Sequence, residues 1–294
     1  MIKSKITILD GGMGRELKRM GAPFKQPEWS ALALIEAPDT VTQAHQSFID
    51  AGAQVITTNA YALVPFHIGQ ERFDKDGRAL IQLAGQLAQN IAQKHDVQVA
   101  GCLPPAFGSY RPDLFDGSKA KEIYTPLIEE QEPYIDFWLA ETMSSIAEAQ
   151  FLAQLVKQKS NKPLWISYSL TDRQGDSIEP QLRAGDNIIS AAQAAQDNGA
   201  EALLFNCSQV EEMTPALKIL QEMALSIPYG AYANSFAPID GTKRANGDLT
   251  DIREEMTPDH YAQFAQEWVN HGATLIGGCC GITPEHIKCL SETI

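Results

Sequence analysis

Eight short β-rich runs alternate with segments of helical periodicity along this chain, and that alternation constrains its fold more than any other property. The runs cover residues 6–10, 54–58, 97–102, 135–140, 164–169, 202–206, 229–233 and 273–277, and they end in polar residues or glycine. Helical character lies between them. Residues 40–52 place Val41, Ala44, Phe48 and Ile49 on one face, with Pro38 and Asp39 as a start signal and Gly52 as a stop. Residues 78–94, 144–158, 186–198, 212–225 and 259–270 share this character. A length of 294 residues admits two domains or one barrel. With one strand-helix unit about every 37 residues, a parallel sheet closed into a (β/α)8 TIM-type barrel, an α/β fold, suits the pattern better than an open doubly wound sheet. No Gly-x-Gly-x-x-Gly follows the first run, which weighs against dinucleotide binding. No low-complexity linker divides residues 1–294, so a single domain is expected. Residues 104–118, rich in proline, glycine and aromatics, are expected to form a loop over the substrate side of the barrel.

The unusual residues fall at the carboxyl ends of the runs. Asp10-Gly11-Gly12 follows the first, Asn59 and Tyr61 the second, Glu141-Thr142 the fourth, Cys207 the sixth, Asn234 the seventh and Cys279-Cys280 the eighth. In barrel enzymes that face carries the active site, so these residues are expected to meet around one pocket.

The cysteines carry the most specific chemistry. Cys279 and Cys280 are neighbours, with Cα atoms only ~3.8 Å apart, which is short for a disulfide between them. Both can nonetheless face one metal ion. With Cys207 they would supply three thiolates to Zn²⁺ and leave one tetrahedral position open. A thiol entering that position would lose its proton near neutral pH, so the site suits a sulfur nucleophile better than water. Gly277 and Gly278 ahead of the pair allow close backbone approach; alternatively they merely end a strand and the cysteines pack. Five cysteines without disulfide-like spacing fit a reducing compartment, and Cys102 and Cys289 read as packing residues.

Asp10 and Glu141 are candidates to hold a substrate ammonium group, and the backbone N–H groups near Gly11 and Gly12 to hold a carboxylate. Each acid has an alternative reading as a helix cap. Trp29 can cover the pocket or pack. The six histidines share no ligand spacing and read as structural or solvated. A net charge of −14 argues against nucleic acid or anionic membranes as partners. Met1 to Lys5 lack a secretory leader pattern, and no run approaches the ~18 apolar residues of a membrane span. A cytoplasmic protein is expected.

In this order, the motifs Asp10-Gly11-Gly12-Met13-Gly14, Glu141-Thr142 with Glu148, Asn206-Cys207, Tyr232-Ala233-Asn234-Ser235 and Gly277-Gly278-Cys279-Cys280-Gly281-Ile282-Thr283-Pro284 resemble the homocysteine S-methyltransferase family. The resemblance runs over nearly the whole chain. It implies a zinc-bearing barrel that methylates the sulfur of L-homocysteine to give methionine. Cys207, Cys279 and Cys280 would hold Zn²⁺, Glu141 and Asp10 the amino group, and Tyr61 and Trp29 would line the pocket. Asn59 and Asn234 join them as expected substrate-side residues. The chain departs from the family pattern at Gly101-Cys102-Leu103-Pro104-Pro105, where a Gly-Pro motif is common, and at Phe236, where glycine often stands. Those departures concern the donor pocket. A stand-alone barrel points to S-methylmethionine or S-adenosylmethionine as donor rather than betaine or folate, and to a monomer or weak homo-oligomer. Competing readings are a methyltransferase for selenocysteine or another small thiol, a zinc- or thiol-binding barrel without turnover, and a zinc hydrolase, which the lack of histidine motifs disfavours.

Overall fold

The computed structural model describes residues 5–172, 179–237 and 251–294. Residues 1–4, part of the leader reading above, lie outside them. All eight runs are strands: β1 (Thr7–Ile8), β2 (Val55–Thr57), β3 (Gln98–Leu103), β4 (Phe137–Met143), β5 (Leu164–Tyr168), β6 (Ala202–Asn206), β7 (Tyr229–Tyr232) and β8 (Leu275–Ile276). Every ladder is parallel, in the order β1-β8-β7-β6-β5-β4-β3-β2. A parallel bridge between Leu9 and Val55 closes the ring. There the Asp10 N–H donates to the Val55 carbonyl at 3.0 Å and the Gln54 N–H to the Ile8 carbonyl at 2.7 Å. The result is a (β/α)8 barrel.

Strand alternation sorts the core into two layers. Leu9, Val55, Phe137, Leu139, Ala202, Leu204 and Leu275 form one buried cluster inside the ring. The intervening residues, among them Ile56, Trp138, Leu203 and Phe205, join the larger cluster shared with the helices. Because side chains alternate with period two, the inward row that holds Leu139 continues to Glu141, and the row that holds Leu204 continues to Asn206. The strands thus deliver polar groups to the mouth directly above an apolar plug.

The helices Pro38–Asp50, Ile146–Lys159, Ile188–Asp197, Val210–Glu222 and Pro258–Asn270 match expected segments within a few residues. Helix Gln70–Ala92 starts earlier than expected, because its charged first turns bury little besides Phe73 and so hide the period. Helix Gly117–Gln131 was not anticipated: it carries Pro126 in its interior and starts on glycine, both unfavourable to a sequence reading. Its first residues occupy the end of the expected 104–118 loop. Among the described residues no helix is long and apolar enough to cross a membrane.

Candidate active site

A cavity of about 720 Å³ opens at the carboxyl end of the barrel. Its wall includes Asp10, Gly11 and Gly12 after β1, Asn59 and Tyr61 after β2, Glu141 on β4, Cys207 after β6, Tyr232 on β7 and Cys279-Cys280 after β8. Residues from opposite sides of the ring therefore share one space, as their strand-end positions lead one to expect.

The Sγ atoms of Cys207, Cys279 and Cys280 all lie within 4.8 Å of one another. Zn–S bonds of about 2.3 Å in a tetrahedron put sulfurs ~3.8 Å apart, so the cluster fits one ion, and no histidine belongs to it. In the structure Cys207 and Cys279 are paired as a disulfide, with Cα atoms 5.8 Å apart, while Cys280 is free. This corrects the view of the cysteines as having no disulfide partner. A separation of 72 residues gave no hint of the pairing, which arises because β6 and β8 flank β7 in the ring. Disulfide and metal use the same sulfurs, so the metal-competent form is the reduced one. Burial pushes the Cys280 thiol up to about 11, against the opposing pull of the Arg15 charge. A bound cation favours the thiolate and would release that proton.

Asp10, which is buried, and Glu141, which is half-buried, share the cavity, and neither forms an ion pair with a described residue. Burial pushes Asp10 up to about 8; the Thr57 N–H, donating to Oδ2 at 2.7 Å, opposes this, and the nearby Glu141 charge adds to it. Burial also raises Glu141 to about 7, opposed by the Cys102 thiol, which donates to Oε1 at 2.9 Å. The capping alternative fails for both. Helix Met13–Arg19 begins at Gly12 with no side-chain cap, and Glu141 lies inside a strand whose following helix is capped by Ser145. Two acids withdrawn from water, with no positive partner among the described residues, make a receptor for a cation.

Gly12 lets the first turn approach the cysteines: a Cβ there would lie 2.6 Å from the Cys279 carbonyl oxygen. Its N–H already donates to the Ile282 carbonyl at 2.9 Å, so it is spent within the fold. Gly278 likewise serves close packing, since a Cβ would strike the Ile282 side chain. Trp29 does both things expected of it. It lines the cavity, and it packs beside Phe24 and His67 at centroid distances of 6.5 and 5.6 Å while its indole N–H donates to Gln26. Asn59 lines the cavity and donates to the Ser30 carbonyl at 3.1 Å. The Tyr61 hydroxyl meets Ser109 Oγ at 2.6 Å.

Asn234 is not in the cavity wall. It is buried, and its Oδ1 accepts the Phe236 N–H at 3.1 Å, a local turn that satisfies the amide oxygen. Several wall groups escaped the sequence reading. Tyr232 places a buried hydroxyl at the cavity beside the Glu141 carboxyl; its position at the end of β7, on the inward row, was the available signal. His67, read as structural or solvated, is buried in the wall beside Trp29 and Tyr61. Cys102 is wholly buried in the core, as its reading as a packing residue expects, and from behind the wall its thiol also donates to Glu141.

Comparison with known proteins agrees with this geometry. A homocysteine S-methyltransferase of Escherichia coli (strain K12) is 28% identical over 312 residues, covering 98% of this chain and 95% of that protein. A selenocysteine methyltransferase of Astragalus bisulcatus is 24% identical, covering 97% and 91%. The crystal structure of the metallated homocysteine methyltransferase MmuM from Escherichia coli superposes with a TM-score of 0.80 at 27% identity, covering 99% of this chain and 96% of that one. Residues 7–294 match the profile described as Homocysteine S-methyltransferase, and the chain accordingly belongs to that family of thiol methyltransferases.

Proposed function

We propose that this protein transfers a methyl group from a cationic donor, S-methylmethionine or S-adenosylmethionine, to the thiol of L-homocysteine, forming methionine. The observation that carries the reading is the shared cavity: three cysteine sulfurs on one side and the unpaired Asp10–Glu141 carboxyls on another. An amino-acid thiol presents a sulfur and an ammonium group to match. Cys207, Cys279 and Cys280 would hold Zn²⁺, which when bound keeps the acceptor sulfur as a thiolate near neutral pH.

The chain's own residues do the rest. Glu141 and Asp10 bind the ammonium group and thereby fix where the sulfur lies. The Tyr232 hydroxyl offers a further polar contact to the bound amino acid. Phe24, Trp29, Tyr61 and Phe236 line the same cavity, and aromatic faces attract a sulfonium by ~0.5–2 kcal/mol each. With donor and acceptor held in line, a sulfur lone pair attacks the methyl carbon. The donor's carbon–sulfur bond breaks onto its own sulfur, which leaves as a neutral sulfide. Positioning and the maintained thiolate supply the rate, so no general base is required. The same reading holds residues 1–294 to be one homocysteine-binding domain, working in the cytoplasm without nucleic acid.

Methionine formation from L-homocysteine, with S-methylmethionine, S-adenosylmethionine, betaine and methyltetrahydrofolate offered separately to the reduced, zinc-loaded protein, tests the reading. Turnover is expected with a sulfonium donor. The relative that acts on selenocysteine makes that amino acid the competitor acceptor to include. Preference for it over homocysteine would reassign the acceptor, and silence with every pair would overturn the proposal.

A further inference from the structure

The loop after β3 reaches across the mouth of the barrel and is fastened on opposite sides. At one end Ser109 Oγ meets the Tyr61 hydroxyl beyond β2 at 2.6 Å. At the other the Tyr110 hydroxyl donates to the Cys207 carbonyl beyond β6 at 3.1 Å. Strands β2 and β6 stand four places apart in the ring of eight, so adjacent loop residues tie together points that no strand ladder connects.

Tyr110 is itself fixed from behind. The Arg183 guanidinium lies over its ring, 4.3 Å from the centroid. Arg183 in turn donates to Asp172 at 3.2 and 3.4 Å, to Ser169 Oγ at 3.1 Å and, at 3.5 Å, to the same Cys207 carbonyl. The side chains of this pair are nearly buried, 11% exposed for Arg183 and 4% for Asp172. A planar, always charged fork between a carboxylate and an aromatic face is a stiff support.

What it supports is a conformationally unusual residue. Cys207 has φ of +48°, and Tyr110 has +64°, in the left-handed region that residues with a Cβ seldom occupy. Such a backbone persists only where its surroundings over-determine it. The Cys207 carbonyl is oriented by the residue's own ψ, which together with that φ places Cβ and the sulfur, and the Tyr110 and Arg183 donors grip that carbonyl. Releasing it would let the residue relax and carry its sulfur away from the other two.

We propose that Tyr110 and Arg183 are positioning residues that hold Cys207 in its metal-binding conformation through its carbonyl oxygen. The proposal rests on the three-cysteine metal reading above. Outer groups that orient metal ligands commonly contribute 10- to 100-fold to affinity, which sets the scale expected here.

The test uses reduced full-length protein loaded with cobalt(II), whose thiolate absorption bands report the number and arrangement of sulfur ligands, followed by competition with a chelator. Wild type is expected to show a three-thiolate spectrum. Tyr110→Phe, which keeps the ring on Arg183 but removes the hydroxyl, should bind cobalt about ten-fold more weakly, with shifted bands. Arg183→Gln should change both readouts in the same direction. Arg111→Gln, at a side chain that among the described residues pairs with Asp113 on the exposed loop, should match wild type. Thermal unfolding of the metal-free proteins should be the same for Tyr110→Phe and wild type, which separates a local effect on the ligand from loss of fold. Wild-type affinity and spectrum in Tyr110→Phe would overturn the positioning role alone. Failure of the wild type itself to bind cobalt would overturn the metal reading, and this proposal with it.

Discussion

At the scale of single residues, the site is governed by carboxyl groups that burial keeps from ionising. Asp10 is raised to about 8 and Glu141 to about 7, burial being the largest cause for each. Holding an ammonium group requires the ionised form, so binding at lower pH must first expel a proton. The sign follows: affinity for L-homocysteine rises as pH increases from 6 toward 8, by up to about ten-fold per pH unit for each carboxyl below its own pKa. Calorimetry in two buffers of different ionisation heat counts the protons released. At pH 6.5 Glu141→Gln should bind about ten-fold more weakly and release fewer protons than wild type, and this difference separates the carboxyl from the thiol's own proton. Equal release in both proteins would remove Glu141 from the ammonium site. The raised values also mean that the folded, ligand-free protein binds more protons than the unfolded chain above the ordinary carboxyl range. Burial of these groups therefore costs stability that grows as pH rises from the ordinary carboxyl range and reaches its full size above about 7 for Glu141 and about 8 for Asp10. Asp10, Glu141 and the cysteines were legible because each has a distinctive chemistry at a strand end. Tyr232 and Cys102 were not, since a tyrosine and a lone cysteine among apolar neighbours look like core until an inward-facing row and a 2.9 Å contact reveal otherwise.

At the scale of elements, the ends of β4, β5 and β6 are locked by one side chain. Asn206 is wholly buried. Its Oδ1 accepts from the Thr142 N–H at 2.9 Å and from Ser167 Oγ at 2.8 Å, and its Nδ2 donates to Thr142 Oγ1 at 2.9 Å. Thr142 also has a left-handed backbone, at φ +62°, and it follows Glu141 as Cys207 follows Asn206. One amide thereby sets the direction in which the carboxylate and the third cysteine leave their strands. Asn206→Ala strands buried partners and should cost roughly 1–3 kcal/mol of stability, read by chemical denaturation, together with a raised KM for homocysteine. A neutral substitution would show that the strand ends are fixed by other contacts. Strands were legible to within a few residues because alternation and β-branched content mark them. Helices whose signal is diluted were not, as Pro126 in Gly117–Gln131 and the charged opening of Gln70–Ala92 illustrate. Ties between strands two places apart, such as Asn206 to Thr142, are invisible in sequence because pairing through β5, rather than spacing, brings them together.

At the scale of the whole molecule, a closed ring turns strand-end residues from distant parts of the chain into one wall, with Asp10 near its start and Cys280 near its end. The β6-β7-β8 ladders also bring Cys207 and Cys279 close enough to bond, so the thiol redox state decides whether the cluster can take a metal. The central claim is that three cysteines present a metal with a position open to the substrate's sulfur. X-ray absorption at the zinc edge of the reduced, zinc-loaded enzyme, recorded without and with L-homocysteine, measures that shell directly. The account predicts three sulfur scatterers at about 2.3 Å that become four when the amino acid binds. A shell that already holds four protein ligands, or one that L-homocysteine leaves unchanged, would contradict it.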